Sequence, residues 1–429
     1  MQTLNRKVPP TTFDFTTVSE LPSPYMEHSL SNKIPVYACQ VAGSPKIKFI
    51  FLFEAGSAMV NERGQASAVS HMLCDILDDW ANAQESTTQP AFEFYSGTFH
   101  GLDYSRVEFT VLGIQFEAFL PALHKKLFEV EFSPEGYASY RETIEDMLED
   151  EKDSDPDWVS NAVEEALYGK NHPFMDADYI DSGALTLESV QAFYKERHQQ
   201  GKIKICIAGD LPGNFLDLLE RQFGMMPNQP NGKFVEIPSF ALRRATKFGT
   251  HVASKDEDND SALIRLATAF ALPDRMDFWG VGLIHFILGK WKESRLDRVS
   301  KRFKWFKFLW SNMQRKMNYF EIELSGGVKK GSSSDGIEEM REVLQSLADE
   351  EMSDEDLKRA KSSYIAAILE KNDGGMNAAS YWEKEIHRGY EPDYLTKGLQ
   401  VLKTITPQDI IVIANKYFDP RNFHLATVS

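Results

Sequence analysis

LTLESVQAFYKERHQQGKIKICIAGD (185–210) and ITPQDIIVIANKYFDPRNFHLATVS (405–429) share one plan. Each sets a threonine at a helix N-cap, follows it with an acidic first turn and an amphipathic helix, breaks with polar residues, and closes on an alternating strand. The two stretches lie about 220 residues apart, half of the 429-residue chain. Self-similarity at that distance marks a duplicated unit. The starts of the halves agree too: PKIKFIFLFEAGS (45–57) and SALIRLATAFALP (261–273) are apolar, β-rich runs that lead through a turn into a long helix. Each half therefore reads strand, helix, strands, helices, helix, strand. The expected class is α+β: two homologous domains in tandem, each a mostly antiparallel sheet packed against helices, facing each other across a cavity. The boundaries predicted are 1–224 and 241–429, joined by a linker over 225–240 whose sequence begins MMPNQPNGKFVEIPS. Within the second half, SDEDLKRAKSSYIAAILEK (353–371) opens on a Ser353/Asp356 capping pair and carries Leu357, Ala360, Tyr364 and Ile368 along one side, the mark of a core-facing helix.

A chain of this length exceeds what a single core fills, since cores stop growing at about 250 to 300 residues. Its formal net charge of -17 repels polyanions and acidic membrane surfaces, so nucleic acid and membranes are not expected partners. Cys39, Cys74 and Cys206 stand at no spacing that suggests a disulfide framework or a closed zinc site, which fits a reducing compartment. No stretch of about 18 apolar residues appears, and the opening MQTLNRKVPPTTFDF lacks the apolar core of a signal peptide. The expectation is a soluble, cytoplasmic protein.

From Gly64 to Trp80, Val69, Met72, Leu73, Ile76, Leu77 and Trp80 recur at helical spacing and form a buried stripe. Ser67, His71, Cys74 and Asp78 fall within about 60° of one another on another side. A second helix, YRETIEDMLEDEK (140–152), aligns Glu142, Glu145 and Glu149.

The first of these helices resembles the inverted zinc motif H-x-x-E-H of the pitrilysin/insulinase metallopeptidases, the inverzincins, in its local form G-x-x-H-x-x-E-H-M-L. Gly64, His71, Met72 and Leu73 match, while Ser67 stands at the first histidine and Ser70 at the glutamate. The family's third ligand is a glutamate on a later helix, in a context that Arg141, Glu142 and Glu149 reproduce. In the family two histidines at i and i+4 and that glutamate grip zinc, and the motif glutamate takes a proton from zinc-bound water. Here the resemblance leaves His71 and Glu149 as vestigial ligands. Serine hydroxyls are poor zinc ligands at neutral pH, and Ser70 cannot serve as the base.

The resemblance extends from about residue 20 to the end. Catalytic members carry in the second half an arginine and, seven residues on, a tyrosine that bind the substrate backbone and steady the tetrahedral intermediate. Aligned on Ser294, Arg295 and Leu296, those positions hold Lys301 and Phe308, so the charge survives but the guanidinium fork and the hydroxyl do not. The surrounding segment 288–310 is rich in lysine and arginine among Trp291, Phe303, Trp305 and Phe306. It reads either as a solvated helix face running into a strand or as a basic aromatic wall for an acidic peptide or partner. SGGVKKGSSSDG (325–336) reads as a loop, similar to the glycine-rich loop of the family's non-catalytic subunits, or as a plain strand-to-helix connection capped by Ser334 or Asp335.

What the resemblance implies is a catalytically degenerate inverzincin with none of its catalytic set intact and no resident cofactor. Such a chain would be the non-catalytic half of a peptidase that binds unfolded peptides and completes the chamber of an active, zinc-bearing paralogous subunit. Two alternatives stand beside it. One is a weak zinc metallopeptidase with a substitute site around His71, Glu149 and Cys74. The other is a homodimeric pseudo-peptidase, self-paired, with a structural or regulatory role.

Overall fold

The computed structural model describes residues 14, 17–18, 25–85, 91–169, 172, 174, 185–228, 250–252, 260–292, 294–372 and 375–429. Of the expected linker, residues 229–240 lie outside that set. The first half runs β1 (Met26–Ser29), β2 (Pro35–Gln40), β3 (Lys46–Phe53), α1 (Gln65–Glu85), β4 (Phe94–His100), β5 (Ser105–Leu112), α2 (Phe116–Phe128), α3 (Pro134–Asp153), α4 (Asp155–Tyr168), α5 (Leu187–Tyr194), β6 (Ile203–Gly209) and α6 (Phe215–Phe223). The second runs β7 (Thr250–Val252), β8 (Ser261–Ala271), α7 (Arg275–His285), α8 (Arg295–Arg302), β9 (Phe306–Lys316), β10 (Tyr319–Lys329), α9 (Ser333–Asp349), α10 (Asp354–Asn372), α11 (Gly375–His387), α12 (Tyr394–Thr404), α13 (Pro407–Tyr417) and β11 (His424–Val428). A shift of about 220 residues carries α3 onto α10, α4 onto α11, α5 onto α13 and β6 onto β11. Both capping boxes form as read: Thr186 with Ser189, and Thr406 with Asp409.

Two sheets result, ordered β1-β2-β6-β3-β5-β4 and β7-β11-β8-β10-β9. All pairings are antiparallel except β2 with β6 and β7 with β11. The edges that matter below are β4 and β9.

Strand β3 shows how the sequence builds a sheet covered on both sides. Side chains alternate across a strand. Phe49, Phe51 and Phe53 enter a core with Val69, Met72, Leu73 and Leu77 of α1 and with Phe119 and Leu123 of α2. Burying each phenylalanine contributes on the order of 2 to 3 kcal/mol. Ile50 and Leu52, between them, join a different core that holds Trp382 of α11. Strand β8 does the same: Ile264 and Leu266 face the second half's own helices, while Ala267 and Ala269 face Val159, Val163 and Leu167 of α4.

The halves thus exchange equivalent helices. Helix α4 of the first half lies on β8 and β11, and α11 of the second lies on β6, β2 and β3. The receiving faces are lined by small residues, Ala267, Ala269 and Ala426 for α4, and Cys39 and Ala208 against Ala379 for α11. Small side chains let a helix approach the sheet closely. Polar ties fix the exchange. Lys204 Nζ donates to the carbonyls of Ile386 (2.8 Å) and His387 (3.1 Å) at the end of α11, and Lys48 Nζ reaches Ser380 Oγ at 2.7 Å. Arg106 pairs with the fully buried Glu383. On the other side Lys316 Nζ lies 2.6 Å from Glu164 and 2.9 Å from Glu321, which also accepts from the Tyr168 hydroxyl.

The 325–336 segment differs from the loop expected there. Ser325 to Lys329 continue β10, with Gly326 and Gly327 inside the strand and a register shift at Gly327/Val328. The connection is only Lys330 to Ser332, and Ser332, not Ser334 or Asp335, occupies the N-cap of α9. The glycines are there because side chains crowd them: a Cβ at Gly327 would sit 2.3 Å from Phe308 Cε1.

Two measurements follow. Ala426→Phe enlarges the face that receives α4, where a bulky ring has no space; it should lose about 1 to 3 kcal/mol in urea unfolding, against near zero for a control at exposed Ile114. Burial also sets an acid limit. His198 Nε2 lies 2.9 Å from Ser105 Oγ and burial pushes its pKa down to about 3; His285 Nε2 lies 3.2 Å from Ser311 Oγ and is pushed down to about 4. Unfolded histidine titrates near 6.5, so both depressed groups contribute stability that is present above that pH and lost as pH falls toward 4. At pH 5 each costs about 2 kcal/mol. His198→Gln should lose about 2 kcal/mol less than the parent between pH 7.5 and 5.

Candidate functional site

Gly64, at φ +84°, turns the chain into α1, and the Gln65 side chain accepts from the Asn61 (3.0 Å) and Glu62 (3.2 Å) amides just upstream. Val69, Met72, Leu73, Leu77 and Trp80 are buried, as their spacing predicts. Helix α1 runs beside the edge strand β4, where Thr98 Oγ1 donates to the Ser70 carbonyl at 3.0 Å.

The polar side of α1 is tied up locally. His71 Nε2 stands 3.6 Å from Asp75 Oδ2, and its ring packs on Tyr140 with centroids 5.5 Å apart. Ser67 is buried. Cys74 Sγ donates to Asp78 Oδ2 at 3.6 Å, and burial, reinforced by the nearby Asp78 and Asp75 charges, pushes the thiol up, so it remains protonated. On α3, Tyr140 is fully buried and its hydroxyl reaches the Gly64 carbonyl at 3.4 Å. Glu142, Glu145 and Glu149 are exposed, Arg141 pairs with Glu145 at 2.9 Å, and Glu149 stands nine residues beyond Tyr140, about 13 Å along the helix axis.

The α3 side chain that meets His71 is therefore Tyr140, a residue that motif reading passed over. Its signal was the i, i+4, i+8 spacing of Tyr140, Ile144 and Leu148, which marks the face of α3 turned to the core. Among the described residues no group of three or more His, Cys, Asp or Glu could hold a metal ion. One imidazole engaged by an aspartate, two hydroxyls and a protonated thiol do not fit a catalytic zinc, which takes three strong protein ligands.

In the second half, Ser294 caps α8 and Arg295 turns inward to Ser346 Oγ (2.6 Å) and Glu350 (2.7 Å). Lys301 folds back on Asp297 at 2.6 Å. Phe308 lies on the edge strand β9, half exposed, with its ring over Gly327. Much of the basic segment is thus paired within the chain: Lys301 with Asp297, Arg295 with Glu350, and Lys307 with Asp260.

A cavity of about 860 Å³ opens between the halves. The end of β4 (Phe99, His100) and the turn to Tyr104 wall one side, and Met313 to Lys316 of β9 wall the other. Edge strands of both sheets therefore border one space; exposed Phe99 lines it, and Tyr95, Phe308 and Trp310 are exposed elsewhere on the same strands.

Residues 184–364 match the family model described as peptidase M16 inactive domain. That match covers less than half of the chain. The likeness in fold to solved structures extends over nearly the whole chain. It is similar to a peptidase M16 inactive domain from Pseudomonas fluorescens, with a TM-score of 0.81 at 16% identity, covering 94% of this chain and 97% of that one. A protease from Helicobacter pylori gives 0.75 at 14% identity, covering 95% and 100%. The periplasmic protease PqqL from Escherichia coli gives 0.72 at 12% identity, covering 99% of this chain and 49% of that one. At such identities these structures show the fold alone. No curated protein matches the chain. The α+β class is thus recovered by comparison, and the family match over 184–364, which lies outside α1, is consistent with the pitrilysin-type resemblance; among the described residues no helix is long and apolar enough to cross a membrane.

The geometry around His71 makes restoration of the motif insufficient. Ser67→His with Ser70→Glu is expected to leave zinc far below one per chain by elemental analysis, because Tyr140 occupies the place facing His71 and Glu149 stands about 13 Å further along. Stoichiometric uptake would refute that placement.

Proposed function

We propose that this chain is the non-catalytic, peptide-binding subunit of a pitrilysin-type metallopeptidase, completing the chamber of an active zinc-bearing partner. The observation that carries the reading is the state of α1: it sits where the family's motif helix sits in the sequence, yet its one remaining imidazole is spent on Asp75 and Tyr140. Lys301, held by Asp297, and Phe308, packed on Gly327, leave no fork and no hydroxyl for a tetrahedral intermediate.

Peptide binding asks for none of those groups. An extended peptide adds to a sheet edge through backbone hydrogen bonds, with alternate side chains resting on the surface beside it. The edge strands β4 and β9 supply such borders, and Tyr95 and Phe99 on β4 and Phe308 and Trp310 on β9 supply exposed aromatic surface. All three cysteines are free, in keeping with a reducing compartment, and we place the protein in the cytoplasm on that ground.

Purified chain should contain no stoichiometric zinc and leave unstructured peptides uncut, and it should raise hydrolysis when mixed with an intact H-x-x-E-H partner. Chelator-sensitive cleavage by the isolated chain, abolished by His71→Ala, would instead establish a weak metallopeptidase.

A further inference from the structure

The walls of the cavity between the halves carry an unusual charge for this molecule. The chain has a net charge of -17, yet the cavity is lined by five lysine and arginine side chains against three carboxylates. Part of that charge is spent inside the protein. Lys316 is held by Glu164 and Glu321, and Arg388 by Glu385 at 3.3 Å. Arg315 leans on Tyr390 and donates through Nε to the Met317 carbonyl at 2.9 Å, with the Glu385 carboxylate close enough to act on its charge without an ion pair. Lys371 and Lys384 make no ion pair or hydrogen bond with any described residue and are exposed in the cavity wall.

The repeated order of elements shows where this excess lies. Glu164 in α4 and Lys384 in α11 occupy equivalent positions of the exchanged helices, about 220 residues apart. In α4 the glutamate neutralises a buried lysine of the facing strand. In α11 the lysine stands over the same cavity within the field of its neighbours Glu383 and Glu385, whose ion pairs are with Arg106 and Arg388. Among the described residues, the buried hydroxyl of Tyr104, a residue of the cavity wall, has no hydrogen-bond partner.

We propose that this cavity selects acidic peptide segments, holding a glutamate- or aspartate-bearing extended chain with Lys371, Lys384 and Arg315 against its carboxylates. The proposal rests on the peptide-binding reading above and adds the substrate class. Its volume of about 860 Å³ takes a segment of several residues and not a folded domain. Electrostatic selection of this kind acts against the field of the whole molecule, so it must come from these side chains and weakens as salt screens them.

Fluorescence anisotropy with the full chain tests it, using two labelled, unstructured ten-residue peptides identical except for glutamate in one and lysine in the other, and a third, uncharged peptide. The acidic peptide should bind about tenfold more tightly than the basic one at low salt, with the gap closing as salt rises. In the Lys371→Glu, Lys384→Glu double variant, whose exposed positions leave the core untouched and whose fold is checked by circular dichroism, the preference should vanish or invert. Equal binding of all three peptides, or an acidic preference unchanged in the double variant, overturns the charge selection while leaving the peptide-binding reading intact. Failure of all three to bind overturns both.

Discussion

Both described sheets have two apolar faces, and one face of each is covered by a helix from the other half of the chain. Strand β3 makes the constraint plain, since phenylalanines and smaller aliphatics alternate along it with both sets buried. The solution is reciprocal: α4 crosses to the second sheet and α11 to the first. The alanines and Cys39 on the receiving faces, Lys204 at the end of α11 and the buried Lys316–Glu321–Tyr168 group all accompany that exchange. So does the cavity, which is the space left where two interlocked halves meet along the edges of their sheets.

Buried charge is tolerated here because it is matched. Glu321 has a lysine and a tyrosyl hydroxyl, and Glu383 has Arg106. Removing one member of such a group leaves an uncompensated charge, which costs more than the pair contributes. Burial also pushes the Glu383 and Glu385 carboxyls up, with the neighbouring Arg106 and Arg388 acting in the opposite sense. The polar side of α1 follows the opposite logic. Its histidine and thiol are satisfied by aspartates one turn along the same helix, which is what local side-chain pairing achieves when no ion organises the face.

The repeated order of elements, the α+β class, the principal helices and strands and the capping boxes were legible in the sequence, because periodicity and end signals are local. The expected loop at 325–336 was not: glycines read as a break, whereas Gly326 and Gly327 are strand residues made small by Phe306, Leu309 and Phe308 across the ladder. Tyr140 was passed over because motif spacing drew attention to the glutamates on the solvent side of α3, while the residue that meets His71 is on its apolar side. The helix exchange left only a faint trace, the run of small residues on one face of β8, β11 and β6. Nothing local says whose helix will lie there.

That exchange bears on how such a chain arose. A polypeptide of half this length, with one sheet and one departing helix, would leave an apolar face bare and could close it only by trading that helix with a twin. Joining two twins end to end turns an encounter between molecules into an internal event, and frees the two copies to diverge. The opposite signs of Glu164 and Lys384, at matched places in the traded helices, are a mark of that freedom.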